Sequence, residues 1–433
     1  MRIFHRAVIS FSSTALIQIA NLIGGALLAR AIGPENRGTL ASIISLTSVI
    51  SAVTSLSLGD ALIYLCSSRD KSEKLSYLKS ALKIALPITT VGFIFAIITV
   101  NLIGKIHHEK MIYVDLFCFN VIANHLCLIS LSYILSDGDV KSWGLLRLIP
   151  PIVPAIGNIS LFFFKNISAE NYLMLQLAGN SLAVIGAVLC IAPSWRSGTR
   201  TGARADNMRT LFSYAIRLHP AALANTAREH LDRIMMTFLL SSAALGQYAI
   251  AGTLATLPML LATTIDTIIF PKISSMPPHE RRSSIIYWVP LCATFIAASS
   301  ASIVAATPIL NRLIFGHAYA ESGLIGQILT ISYALSAMKM MVGTSLKATG
   351  RALDLGKAEI STLVTMIIFV PMGVYYLGSV GAAAGMVLSQ LVSFSYVIFQ
   401  ASRNLDIRPI ALLAPSFDTI TMVMIQLRTR IRI

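Results

Sequence analysis

Twelve apolar segments, each of about 20 residues or more, occupy most of the chain, and a segment of that length and polarity spans a bilayer. They fall at 8–29, 40–65, 84–103, 112–135, 143–164, 172–192, 212–240, 247–270, 286–308, 323–346, 358–377 and 380–400. A backbone that crosses lipid must satisfy its own N–H and C=O groups, so apolar segments this long are helices. Charged residues make up 12% of the sequence, against about 25% in soluble domains. The mean hydropathy is +0.74. The connections are short, so no loop holds a catalytic or receptor domain. The chemistry of the chain must therefore sit between helices.

The formal net charge is +15. With the N-terminus inside and spans alternating, 25 of the 34 Lys and Arg residues fall on the cytoplasmic side, six outside and three within spans. This is the positive-inside bias, and it places both termini in the cytoplasm. Basic residues facing an anionic leaflet need no nucleic acid to explain them. The five cysteines have no metal-ligand spacing and read as small core residues, and no metal site is expected. Ala29-Arg30-Ala31 imitates a signal cleavage site, but the apolar stretch before it is too long for a signal peptide and reads as an uncleaved span.

The segment 193–210 is the longest strongly basic connection, with six spans on each side of it. It is read as a linker between an N-terminal lobe (1–192) and a C-terminal lobe (211–400), followed by a cytoplasmic or interfacial tail (401–433). The tail's apolar part, 410–427, is interrupted by Pro415 and Asp418. The halves share weak internal similarity. The stretch around Gly38 matches that around Gly246, an offset of 208, and Asp137-Gly138-Asp139 matches Thr349-Gly350-Arg351, an offset of 212. Matching positions with the same span number argue for a duplicated six-span unit in parallel orientation, a plan typical of transporters. The fold class is thus an all-α membrane protein.

The motif Leu28-Ala29-Arg30-Ala31-Ile32-Gly33-Pro34-Glu35-Asn36-Arg37-Gly38 resembles the first-span signature of Wzx-type polysaccharide and O-antigen flippases. These belong to the multidrug/oligosaccharidyl-lipid/polysaccharide exporter superfamily. Leu231-Asp232-Arg233, Leu245-Gly246-Gln247-Tyr248-Ala249, Phe270-Pro271-Lys272-Ile273, Leu313-Ile314-Phe315-Gly316 and Gly378-Ser379-Val380-Gly381 follow in family order. The resemblance implies two six-helix lobes around a central cavity. It implies alternating access that carries a lipid-linked oligosaccharide to the outer leaflet of a bacterial inner membrane, for O-antigen, capsule or exopolysaccharide. A polysaccharide polymerase and other assembly proteins are the implied partners.

The seventh span carries Arg217, His219, Arg228, Glu229, His230, Asp232 and Arg233 in a stretch otherwise fit for lipid. Each central charge costs about 2.5–3.5 kcal/mol on insertion scales, so such residues face a cavity or a partner. Arg228 with Asp232, and Glu229 with Arg233, have i,i+4 spacing and also fit a salt-bridged interface. Pro220 offers a hinge. A cargo carrying a pyrophosphate needs counterions, and guanidinium binds phosphate bidentately. The candidates are Arg30, Arg228, Arg233 and Lys339; for Arg30 the alternative is a boundary anchor. Asp232, Glu229 and His230 are the candidates for coupling to H+ or Na+; no other cofactor is expected. His125 reads as a polar packing residue, and Gly381 and Gly385 as helix packing. The sequence has no Walker motif, no HExxH and no arranged Ser/His/Asp set, so it reads as a transporter and not an enzyme. A drug/cation antiporter of the same superfamily and a lipid II flippase are the alternatives.

Overall fold

The computed structural model describes residues 2–67, 69–107, 112–197 and 205–414. Its described residues form thirteen α-helices and two short 3₁₀ turns, with no strand. The helices are α1 (Arg2–Ser55), α2 (Leu58–Cys66), α3 (Lys71–His107), α4 (Ile112–Ser136), α5 (Val140–Leu146), α6 (Ile149–Phe163) and α7 (Ala169–Ser197). They continue with α8 (Ala205–Leu239), α9 (Ser242–Ala255), α10 (Leu257–Ser274), α11 (Pro278–Phe315), α12 (Ser322–Ala348) and α13 (Ala352–Leu405). The tail beyond 414 and the centre of the 193–210 linker lie outside the described residues.

Nine helical stretches among the described residues are long and apolar enough to cross a membrane. This differs from twelve for physical reasons. Helix α1 contains a non-helical Gly33 at φ 77°, and α13 a non-helical Gly378 at φ 59°. Each break turns what the sequence reads as two spans into one long bent element. Positive φ is open to glycine at no steric cost. Helix α8, rich in charge, is not among the nine. Large side chains lie exposed along one face of α3, as with Val91, Phe95, Ile98 and Leu102, and Tyr375 and Tyr376 are exposed on α13. Water would not tolerate such faces, and lipid would. The chain is a multi-pass membrane protein.

By contact density the chain divides into two compact units, Met1–Thr237 and Phe238–Ile433. The division falls inside α8, not at the expected 193–210 linker. Helix α8 belongs with the first unit because its side chains bind there. Asn207 donates to the Ser76 hydroxyl at 2.9 Å, and Tyr214 stacks on Tyr64 with ring centroids 4.5 Å apart. Leu211 and Ala215 complete a core with Leu58, Leu62, Leu75 and Leu78, and Thr237 donates to the Ser42 hydroxyl at 3.1 Å. Pro220 lies inside α8 without breaking it. Four of the cysteines are buried, while Cys190 is exposed, against the expectation for that residue.

The internal repeat is visible as backbone geometry. After α4, Gly138 (φ 88°) donates to Leu135 O and Asp139 to Ile134 O; after α12, Gly350 (φ 81°) donates to Lys347 O and Arg351 to Leu346 O. Both are helix ends closed by a left-handed glycine. In each unit a cation from the preceding long helix then reaches the last carbonyl of the closed helix. Lys74 Nζ donates to Ser136 O at 3.1 Å, and Arg281 Nη1 to Ala348 O at 2.9 Å. Within α13, a side chain on Gly381 or Gly385 would strike the backbone of Gly373 or of Phe369, so these glycines do serve helix packing.

Candidate functional site

Two pairs of amides at i,i+4 spacing define a polar cavity in the first unit. Asn120 and Asn124 lie on one face of α4, and Gln176 and Asn180 on one face of α7. The second half of α1 adds Thr47, Ser48 and Ser51. The cavity has a volume of ≈440 Å³. Asn180 donates to Asn120 Oδ1 at 2.8 Å, Asn124 to Ser51 Oγ at 2.9 Å, and Gln176 to the Tyr172 hydroxyl at 3.0 Å. Each amide thus uses one of its hydrogen-bonding positions on a neighbour that fixes its orientation. The Asn180 carbonyl oxygen, for one, has no hydrogen-bond partner among the described residues.

Among the described residues, one cation lines this cavity. Arg147 ends α5, where the helical path is interrupted before Pro150 and Pro151 on α6. Its guanidinium lies over the Trp143 ring, 5.1 Å from the centroid. Gly179 lets α7 approach this corner, since an added Cβ would stand 3.0 Å from Pro150 O. Among the described residues, no Asp or Glu lines the cavity.

The cavity adjoins a break between α1 and α2. Leu56 (φ 49°) and Ser57 (φ 52°) are both left-handed without being glycine, a conformation that costs about 1–2 kcal/mol per residue. Side chains hold the break together. The Ser55 hydroxyl donates to Ala52 O and accepts from Ser57 N–H. His125 on α4 is buried, and its Nε2 lies 2.7 Å from Ser51 O. A carbonyl only accepts, so Nε2 carries the proton. His219 on α8 is also buried, with Nδ1 3.4 Å from Ser57 Oγ. A small cavity of ≈120 Å³ adjoins, lined by Thr54, Ser57, Thr89 and His125 among others. His125 is thus bonded through Nε2, as a packing residue would be, while its buried Nδ1 has no hydrogen-bond partner among the described residues.

The charged residues singled out in the sequence occupy varied settings. Arg30 is exposed on α1, one turn before the Gly33 break. On α8, Asp232 is buried, while His230 and Arg233 are half-buried. Arg228 and Glu229 lie on the same helix, but their side chains are outside the described residues. Lys339 is 2% exposed and forms an ion pair with Glu359 at 3.0 Å, with Ser393 Oγ at 3.2 Å and Thr362 Oγ1 at 3.4 Å. Its charge is therefore matched within the second unit, between α12 and α13. A second ion pair there joins Asp266 on α10 to Lys347 on α12 at 2.7 Å, and Thr344 also donates to Asp266. Glu359 and the amide pairs were not among the residues singled out, although the i,i+4 amides were visible as polar spacing inside apolar spans.

Comparison with known proteins agrees with this architecture. Residues 27–322 match the family described as "Polysaccharide biosynthesis protein". No curated protein matches the chain. The lipid II flippase MurJ in an inward closed conformation superposes with a TM-score of 0.73 at 17% identity, covering 98% of this chain and 93% of that one. An inward-facing multidrug resistance MATE transporter superposes with a TM-score of 0.73 at 12% identity, covering 92% and 98%. The MATE transporter DinF-BH in complex with R6G gives 0.63 at 14% identity, covering 92% and 94%. With the family model matching most of its length, the chain belongs to the polysaccharide biosynthesis protein family, on the fold of the multidrug/oligosaccharidyl-lipid/polysaccharide exporter superfamily.

Proposed function

We propose that the protein flips a polyprenyl-pyrophosphate-linked oligosaccharide from the cytoplasmic to the outer leaflet by alternating access. The observation that supports this reading most is the match of residues 27–322 to a polysaccharide-biosynthesis family in a chain whose fold is shared with a lipid II flippase. Such a cargo has a charged pyrophosphate that lipid rejects and a sugar that needs hydrogen-bonding groups. Arg30, Arg228 and Arg233 serve the pyrophosphate in this reading. Lys339 does so only by exchanging Glu359 for it. Asp232, Glu229 and His230 are the groups for H+ or Na+ coupling. The setting is a bacterial inner membrane with both termini cytoplasmic, in an O-antigen, lipopolysaccharide, capsule or exopolysaccharide pathway with a polymerase downstream. A drug/cation antiporter would favour carboxylates in its cavity; the first unit's cavity has amides and Arg147 instead.

The test is deletion of the gene in its host, followed by extraction of polyprenyl-linked glycans and blotting of surface polysaccharide. Complete repeat units accumulating on the carrier, with surface polymer lost, are the expected result. Unchanged glycans with altered drug susceptibility would move the protein to the antiporters, and accumulated lipid II to the peptidoglycan pathway.

A further inference from the structure

The cavity of the first unit is polar, yet nearly uncharged, and this combination narrows what it takes. Its volume of ≈440 Å³ falls within the roughly 300–1,000 Å³ range of ligand clefts. Its polar groups are side-chain amides and hydroxyls from three helices. An amide offers donors and an acceptor side by side, as does each sugar hydroxyl, so neighbouring amides match the vicinal hydroxyls of a pyranose. The amides are oriented beforehand by their mutual bonds, Asn180 to Asn120 and Asn124 to Ser51, which lowers the ordering cost of binding. A pyrophosphate would require several cations, and among the described residues the lining has Arg147 alone. A cationic drug would require a carboxylate, and none of the described lining residues is one.

We propose that this cavity holds the glycan part of the cargo, as an uncharged or singly acidic oligosaccharide, and not its pyrophosphate. The amides Asn120, Asn124, Gln176 and Asn180 bind hydroxyls. Arg147, steadied by Trp143, takes one acidic group where the sugar has one. The proposal rests on the flippase reading above and assigns the two ends of the cargo to different residues.

The test uses the full chain, purified in detergent, and two probes. One is the repeat-unit oligosaccharide released by mild acid from the carrier lipid that accumulates in the deletion host. The other is inorganic pyrophosphate. A ligand that binds only the folded state raises the melting temperature with concentration. The free oligosaccharide is expected to raise the wild-type melting temperature by several degrees and to leave Asn120→Leu/Asn180→Leu unmoved. That double variant removes both members of one hydrogen bond, so neither partner is left unsatisfied. Gln176→Met, which gives up a hydrogen bond to the Tyr172 hydroxyl, is the second variant and is expected to reduce the shift. No shift in wild type, or an equal shift in both variants, overturns the proposal. A pyrophosphate shift that disappears in the double variant also overturns it, by assigning the cavity to the anionic end. A deletion host that accumulates no carrier-linked glycan defeats the flippase reading itself, and is distinguishable because it precedes the binding measurement.

Discussion

Lys74 reaches from α3 to the carbonyl oxygen of Ser136, the last residue of α4, and closes that helix end at 3.1 Å. It also bonds the Asp137 carboxylate at 3.0 Å. A cation at a helix C-terminus meets unpaired carbonyls and the negative end of the dipole. Arg281 stands in the same relation to Ala348, and its second Nη also reaches Ser274 O and Met276 O. Lys74→Ala and Arg281→Ala are each expected to cost about 1–3 kcal/mol, because buried acceptors lose their donor. Arg281→Lys should recover little, since an ammonium cannot span the three carbonyls. Thermal melting of the purified variants checks both.

The Lys339–Glu359 pair makes a sharper prediction. Lys339→Met takes the counterion from Glu359, whose side chain is 35% exposed and can still meet water, so the expected cost is below the ~3–5 kcal/mol of a fully buried pair. Lys339→Met with Glu359→Met should cost less than the sum of the single changes. Normal surface polysaccharide in the double variant would remove Lys339 from the cargo's contacts. Loss of flipping in a stably inserted double variant would keep it there.

Arg233→Ala is expected to abolish polysaccharide export while the protein still inserts at wild-type level. Arg233→Lys should lose less if charge alone matters, and as much if the planar fork is needed. Surface polysaccharide blots, with protein quantified in the membrane fraction, measure this directly.

Gly33→Ala tests backbone strain alone. No atom lies within 4 Å of where its Cβ would stand, but φ is 77°. With ψ at 174° the residue lies outside αL, in a region nearly closed to side chains, so the expected cost is about 1–3 kcal/mol. Melting temperature is again the readout.

Asp139 caps α5 by accepting from Ser142 N–H at 3.1 Å, and hydrogen bonds from Ser142 hold its carboxyl below the usual carboxylate range. A depressed folded-state pKa adds stability above the unfolded pKa and loses it as pH falls through the folded one. The protection factor of the Ser142 amide, its exchange relative to a free amide at the same pH, should therefore fall at acidic pH in the wild type, and Asp139→Ala should remove that dependence.

The spans were legible because hydropathy over 20 residues is a strong signal. The paired helix ends at Gly138 and Gly350 were legible as a repeat, since left-handed helix ends favour glycine. The break at Leu56–Ser57 was not legible. Neither residue is Gly or Pro, and the strain is held by Ser55, His125 and His219, residues distant in sequence or ordinary in type. The amide cavity escaped for another reason. Ionised groups stand out in a span because they are costly in lipid, whereas Asn120, Asn124, Gln176 and Asn180 cost less and look like packing. The partner of Lys339 depends on how α13 folds back against α12, which no local pattern encodes.

At the bend of α13, Gly381 and Gly373 meet backbone to backbone, with no side chain between them. The two arms of that element therefore have nothing compressible at their contact, and Gly378 supplies the turn. Neither arm can tilt alone without parting main chain from main chain. The two arms on either side of Gly378 are thus clasped at the bend, so that a tilt of one draws the other with it.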